Sequence, residues 1–185
     1  MHEMNSAEAV GAAREAFLAR FAWQGGHADI WQVFRHGPTL VAVVAGLAEP
    51  WREAGITHVI GIESRGFLLG GAVATNLGVG FQAVRKSGGM LPGPKLTTIT
   101  AADYRGISNE LRMQDALTSD DVVLLVDDWA QLGSQAVGVR HLVERSGARF
   151  AGASLLVDQL EESIRAELGR VTCLVRASEL GDPDA

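Results

Sequence analysis

The chain has one cysteine, Cys173, among 185 residues. That excludes an internal disulfide and any zinc site built on paired cysteines. Long apolar runs are also missing: no stretch reaches the roughly 18–20 uninterrupted residues that cross a bilayer. The first residues, MHEMNSAEAVGAAREAF, show no basic segment followed by an apolar one. Neither a membrane partner nor a secretory leader is expected, and the expected location is cytoplasmic. Basic runs are absent as well. With 16 Lys+Arg against 22 Asp+Glu, a net charge of −6 and a pI near 5.3, no nucleic-acid surface is expected. His27, His36, His58 and His141 show no metal-binding spacing and read as structural or exposed.

What remains is a chain with 47% hydrophobic residues and a mean hydropathy of +0.12, fit for a single globular domain over residues 1–185. Its 22 glycines, about 12% of the residues against an average of about 7%, cluster between apolar runs and so punctuate loops. A first helix is expected from Ala7 to Phe21, ending at Gly25-Gly26. A second is carried by Leu40, Val43, Val44, Leu47 and Trp51, which fall on one face at a 3.6-residue period. Short apolar runs follow at Thr57–Ile62, Gly80–Val84, Asp121–Val126, Phe150–Val157 and Val171–Val175. Helical stretches separate them at Phe67–Leu77, Ser134–Ser146 and Gln159–Leu168. Strand–helix alternation with β-branched strands predicts an α/β fold: an open, mostly parallel twisted sheet with helices on both faces.

The segment 86–113 fits neither period. It holds four glycines and two of the five prolines, and its length predicts a flexible lid that carries a hairpin of Leu96–Ile99 against Asn109–Met113.

In such a sheet, ligands bind beyond the carboxyl ends of the strands. After the first strand comes Glu63-Ser64-Arg65-Gly66-Phe67, where a helix start, a glycine and an arginine suit an anion; an ordinary turn with a surface arginine would read the same. After the third comes Asp127-Asp128-Trp129-Ala130-Gln131-Leu132-Gly133-Ser134. Its carboxylates suit sugar hydroxyls and its small residues suit a terminal phosphate, although aspartates at strand ends are also common turn formers. Asp158, at a further strand end, reads as a helix cap. Cys173 reads as a small buried apolar residue. Trp23, Trp31 and Trp51 read as packing residues, while Trp129 stands inside the candidate phosphate loop.

Together and in this order, four segments resemble the type I phosphoribosyltransferase family, and within it most closely the adenine-specific branch. They are Val33-Phe34-Arg35 with Pro38, Gly61 to Phe67, Arg85-Lys86 with Leu91-Pro92-Gly93-Pro94, and Val122 to Asp128. The resemblance implies an N-terminal helix and hood over 1–38 and a homodimer that acts on small molecules. It also implies transfer of the phosphoribosyl group of 5-phosphoribosyl 1-pyrophosphate (PRPP) to a purine, adenine foremost, with Mg²⁺ carried by PRPP and no direct protein ligand to the metal. Glu63, Ser64, Arg65 and Gly66 would hold pyrophosphate, with Lys86 nearby. Asp127 and Asp128 would hold the ribose, and Ala130, Gln131, Leu132, Gly133 and Ser134 the 5-phosphate. Val33, Phe34 and Arg35 would bind the base. Arg65, Asp103, Tyr104 and Asp128 would serve catalysis.

The chain departs from the family pattern in two places. Leu132 and Gln135 stand where the phosphate loop has threonines, and Met90 stands where the lid has a lysine. One unreplaced donor to a charged group would weaken PRPP binding about 10- to 150-fold. These departures leave open an alternative, a protein of this fold that binds PRPP or a nucleotide for regulation with little or no transferase activity.

Overall fold

The computed structural model describes residues 6–101 and 106–182. Helix α1 (Ser6–Leu18) is followed by a short hairpin, β1 (Trp23–Gln24) and β2 (His27–Ala28). Gly25 and Gly26 therefore turn a hairpin, Trp23 pairing with Ala28, and do not end the first helix. Helices α2 (Ile30–Arg35) and α3 (Gly37–Ala48) come next, and a short 3₁₀ turn carries the chain on to Trp51. Pro38 sits in the first turn of α3, where its missing N–H costs nothing.

The remaining elements are β3 (His58–Ile62), α4 (Arg65–Leu77), β4 (Gly80–Lys86), β5 (Lys95–Ile99), β6 (Glu110–Gln114), β7 (Val122–Ala130), α5 (Ser134–Arg145), β8 (Arg149–Asp158), α6 (Glu162–Leu168) and β9 (Val171–Arg176). Seven strands form one sheet in the order β5-β6-β4-β3-β7-β8-β9. The five from β4 to β9 along that order run parallel, and β6 and β5 add an antiparallel edge. The expected α/β class holds. The hairpin expected in segment 86–113 is this edge, with Leu96 opposite Met113 and Ile99 opposite Glu110.

The sheet is buried on both faces, which is why β7 reads as an unbroken apolar run. Leu124 and Val126 pack with Phe17, Leu47, Trp51 and Leu69 on one side, while Val123 and Leu125 pack with Val139, Leu142 and Val143 on the other. No helix among the described residues is long and apolar enough to cross a membrane.

Chain direction decides where a site can form. From β3 the chain crosses through α4 to β4 on one side, and from β7 it crosses through α5 to β8 on the other. Because β3 and β7 are neighbours, their two loops leave in opposite directions and a crevice opens at their carboxyl ends.

Candidate active site

The first wall of the crevice is the β3–α4 turn. Strand and helix approach so closely here that a Cβ on Gly61 would lie 2.1 Å from the Gly66 carbonyl oxygen. This brings Arg65, in the first turn of α4, over the end of β7, where its Nε lies 3.0 Å from Asp128 Oδ2. Glu63 is tied back to β4: one oxygen accepts from Arg85 Nε at 2.9 Å and the other from the Lys86 backbone N–H at 2.5 Å. The Glu63–Ser64 peptide bond is cis.

The second wall is β7 and the turn into α5. The strand does not end at Val126 as its apolar run suggests. It continues through Asp127, Asp128, Trp129 and Ala130 because β8 extends beside it, pairing Asp127 with Leu155 and Ala130 with Asp158. The phosphate-loop candidate thus narrows to Gln131, Leu132 and Gly133. Gly133 adopts φ +72° directly before α5, and a Cβ there would lie 2.5 Å from Ile164 and 2.7 Å from Leu160. Leu160 and, in α6, Ile164 therefore support the turn from below, and the first turn of α5, where helix N–H groups lack intrahelical partners, borders the larger cavity.

Between the walls lie two adjoining cavities of about 750 Å³ and 270 Å³, which share Arg65, Asp127, Trp129 and Gln135. The larger is lined by the stretch from Ala130 to Ser134. The smaller is framed by Glu63, Ser64, Arg65, Lys86 and both aspartates. Asp128 is buried, and its Oδ2 has no hydrogen-bond partner among the described residues, the nearby guanidinium being poorly aligned. Asp127 Oδ1 accepts the Asp128 backbone N–H at 3.0 Å. Burial pushes the Asp127 carboxyl well above the ordinary carboxylate range, and the neighbouring Asp128 charge adds to it. Burial also raises Asp128, against the pull of Arg65.

The expected site residues divide by place. Glu63, Ser64, Arg65, Lys86, Asp127, Asp128 and the loop Ala130–Ser134 all border the cavities, and Gly66 lies behind them against Asp127. The expected base-binding trio does not. Val33 and Phe34 are buried in the core beneath α2, Trp31 edge-on to Phe34, while Arg35 points outward and pairs with Asp29 at 3.7 Å. Asp103 and Tyr104 lie outside the described residues.

Other side chains occupy places that sequence reading left aside. Trp23, His27 and Gln159 line the larger cavity. Asp158 is no helix cap: it is fully buried, paired with Arg165 and lying 3.4 Å from Arg176, with Oδ1 accepting the Leu160 N–H. Cys173 is only half-buried, although burial raises its thiol pKa.

No protein-family model matches the chain. Curated relatives do. The adenine phosphoribosyltransferase of Phocaeicola vulgatus is 38% identical over 130 residues, covering 70% of this chain and 74% of that protein. The Streptomyces clavuligerus protein of the same name is 35% identical over 155 residues, covering 80% and 86%. Among solved structures, the adenine phosphoribosyltransferase of Rhodothermus marinus superposes with a TM-score of 0.78 at 31% identity, covering 89% of this chain and 98% of that one. The Giardia lamblia enzyme, solved with 9-deazaadenine, superposes at 0.76 and 28% identity, covering 94% and 98%. A crevice at the β3–β7 switch point, walled by an arginine-bearing helix start and an acidic strand end, is thus housed in a fold these relatives share: the chain belongs to the type I phosphoribosyltransferases, in the adenine phosphoribosyltransferase family.

Proposed function

We propose that this protein transfers the 5-phosphoribosyl group of PRPP to a purine base, adenine foremost, with release of pyrophosphate. The observation that carries the reading is the convergence of Arg65, the Asp127–Asp128 pair and the α5 N-terminus on two connected cavities.

In this assignment the 5-phosphate sits against the backbone N–H groups at Gly133 and Ser134, where helix dipole and free donors both favour an anion. The ribose hydroxyls donate to Asp127 and Asp128, and the buried Asp128 Oδ2 gains the hydrogen bond it otherwise lacks. Pyrophosphate occupies the smaller cavity, where Arg65 and Lys86 supply positive charge. In the reaction a purine ring nitrogen forms a bond to C1 of the ribose and loses its N–H proton to pyrophosphate or solvent, as the bond from C1 to pyrophosphate oxygen breaks. The sugar passes through an oxocarbenium-like state, and the electron pair leaves with pyrophosphate.

The protein's share of the work is positioning and fixed electrostatics rather than covalent chemistry. Among the described residues no set of three acidic, imidazole or thiol side chains could cage a metal ion. The carboxylate oxygens of Asp127 and Asp128 at the smaller cavity are of the kind that would suit Mg²⁺ arriving on PRPP. Bound in that way, Mg²⁺ neutralises charge on the departing pyrophosphate. Asp103 and Tyr104 are assigned to the lid, with Asp103 as the acid near the purine. We place the protein in the cytoplasm and, as the family resemblance implies, as a homodimer. The binding-only alternative is not favoured, because the curated relatives compared bear the transferase name.

The test incubates the protein with PRPP, Mg²⁺ and adenine, hypoxanthine, guanine or xanthine in turn, and measures pyrophosphate and nucleotide together. Equimolar AMP and pyrophosphate from adenine is the expected result. PRPP binding with no product from any base would overturn the transferase reading.

A further inference from the structure

The larger cavity has three chemically distinct parts. Gly133 and Ser134 offer backbone N–H groups, Asp127 offers a carboxylate, and Trp23, His27, Trp129 and Gln159 supply much of the remaining lining. With phosphate and sugar assigned to the first two, the planar base falls to the aromatic part.

One polar side chain there is held in a defined orientation. The indole Nε1–H of Trp129 donates to Gln159 Oε1 at 2.9 Å. An indole nitrogen only donates, so the amide atom facing it must be the oxygen, and the usual ambiguity between oxygen and nitrogen in a glutamine amide is removed. The Gln159 NH₂ group has no acceptor among the described residues. Both ends of this arrangement are anchored. The Gln159 backbone N–H donates to Ala130 O at 2.9 Å, on the strand that carries the acidic pair. Trp129 meets the edge of Trp23 at 6.0 Å between ring centroids, and Trp23 Nε1 donates to Leu180 O at 2.9 Å.

We propose that Gln159 reads the base: its NH₂ donates to an acceptor nitrogen on the purine edge, and Trp129 is the residue that positions it. This rests on the transferase reading above. The pair supplies a donor where the buried Val33 and Phe34 supply no surface to the cavity.

Steady-state kinetics with each substrate varied separately provides the test. In Gln159→Glu the Trp129 bond survives while the donor is replaced by a carboxylate. The KM for adenine is expected to rise about tenfold, the value of one hydrogen bond, with the KM for PRPP within about twofold of the parent. Trp129→Phe keeps a ring and removes the N–H; it is expected to raise the adenine KM several-fold in the parent and to add nothing in a Gln159→Leu background. An unchanged adenine KM in an active Gln159→Glu variant would overturn the proposal and leave the transferase reading standing. So would equal rises in both KM values, which mark general damage to the site. If the parent protein forms no nucleotide from any base, the transferase reading fails and this inference fails with it.

Discussion

The two walls of the crevice reach the same end by different means. At β3–α4, side chains make the order: Glu63 clamps to β4, Arg65 reaches Asp128, and the close approach of Gly61 and Gly66 leaves the turn no slack. At β7–α5 polar side chains contribute little. Leu132 is 44% exposed, and the N-terminal residue of the loop helix makes no side-chain cap. Gly133 sets the conformation instead, and Leu160 and Ile164 support it from behind. One wall is thus held by a polar network and the other by backbone shape over an apolar base. Only the first kind leaves a side-chain signature in sequence.

The contrast is open to attack at several points, and the largest effect is expected at the β3–α4 turn. Gly61→Ala would drive a Cβ into backbone, so an unfolding-free-energy loss of about 3 kcal/mol is expected in denaturant titrations. A loss below about 1 kcal/mol would mean that this turn is slack after all. Arg65→Ala should then lower kcat/KM for PRPP about 100-fold, since it removes a hydrogen-bonding charge from the anion site. On the other wall, Gly133→Ala combines a left-handed φ with contact against Ile164. A stability loss of about 2 kcal/mol and a raised KM for PRPP are expected. Leu132→Thr runs the opposite way: a restored hydroxyl should lower the PRPP KM up to about tenfold, and no change would show that backbone donors already satisfy the phosphate.

The smallest effect is a pH dependence. Burial, reinforced by Asp128, raises the Asp127 pKa in the folded protein, so the folded state holds more protons than the unfolded one. Asp127 therefore costs stability progressively as pH rises from about 4, the unfolded value, through its raised folded value. The Tm of Asp127→Asn relative to the parent should climb across that window. A difference that stays flat with pH would remove the buried-charge account of the acidic pair.

Most of the fold was legible because burial on both faces writes apolar runs directly into sequence, as in Val122–Val126. The hairpin in segment 86–113 was legible from the length of that segment and not from any period, and it forms the antiparallel edge of the sheet. Strand ends were not: β7 continues through two aspartates because β8 runs beside it, a tertiary cause. The β1–β2 hairpin was hidden because two-residue strands carry no period. Phe34 is more instructive. Ile30, Val33 and Phe34 stand at i, i+3 and i+4 on α2, the spacing of a core-facing stripe, and all three are buried. That signal pointed inward while the resemblance pointed toward the base. Gln159 carries no signal of its own in sequence, since the residue that stands out at that strand end is Asp158, whose carboxylate is consumed by Arg165 and Arg176.

A crystal structure of the protein with AMP tests the assignment of the two walls most directly. The account predicts the 5′-phosphate on the backbone N–H groups at Gly133 and Ser134, the ribose on Asp127 and Asp128, and the base against Trp129 and Gln159. A nucleotide phosphate bound instead at the Glu63–Arg65 turn, with the β7–α5 loop empty, would contradict it.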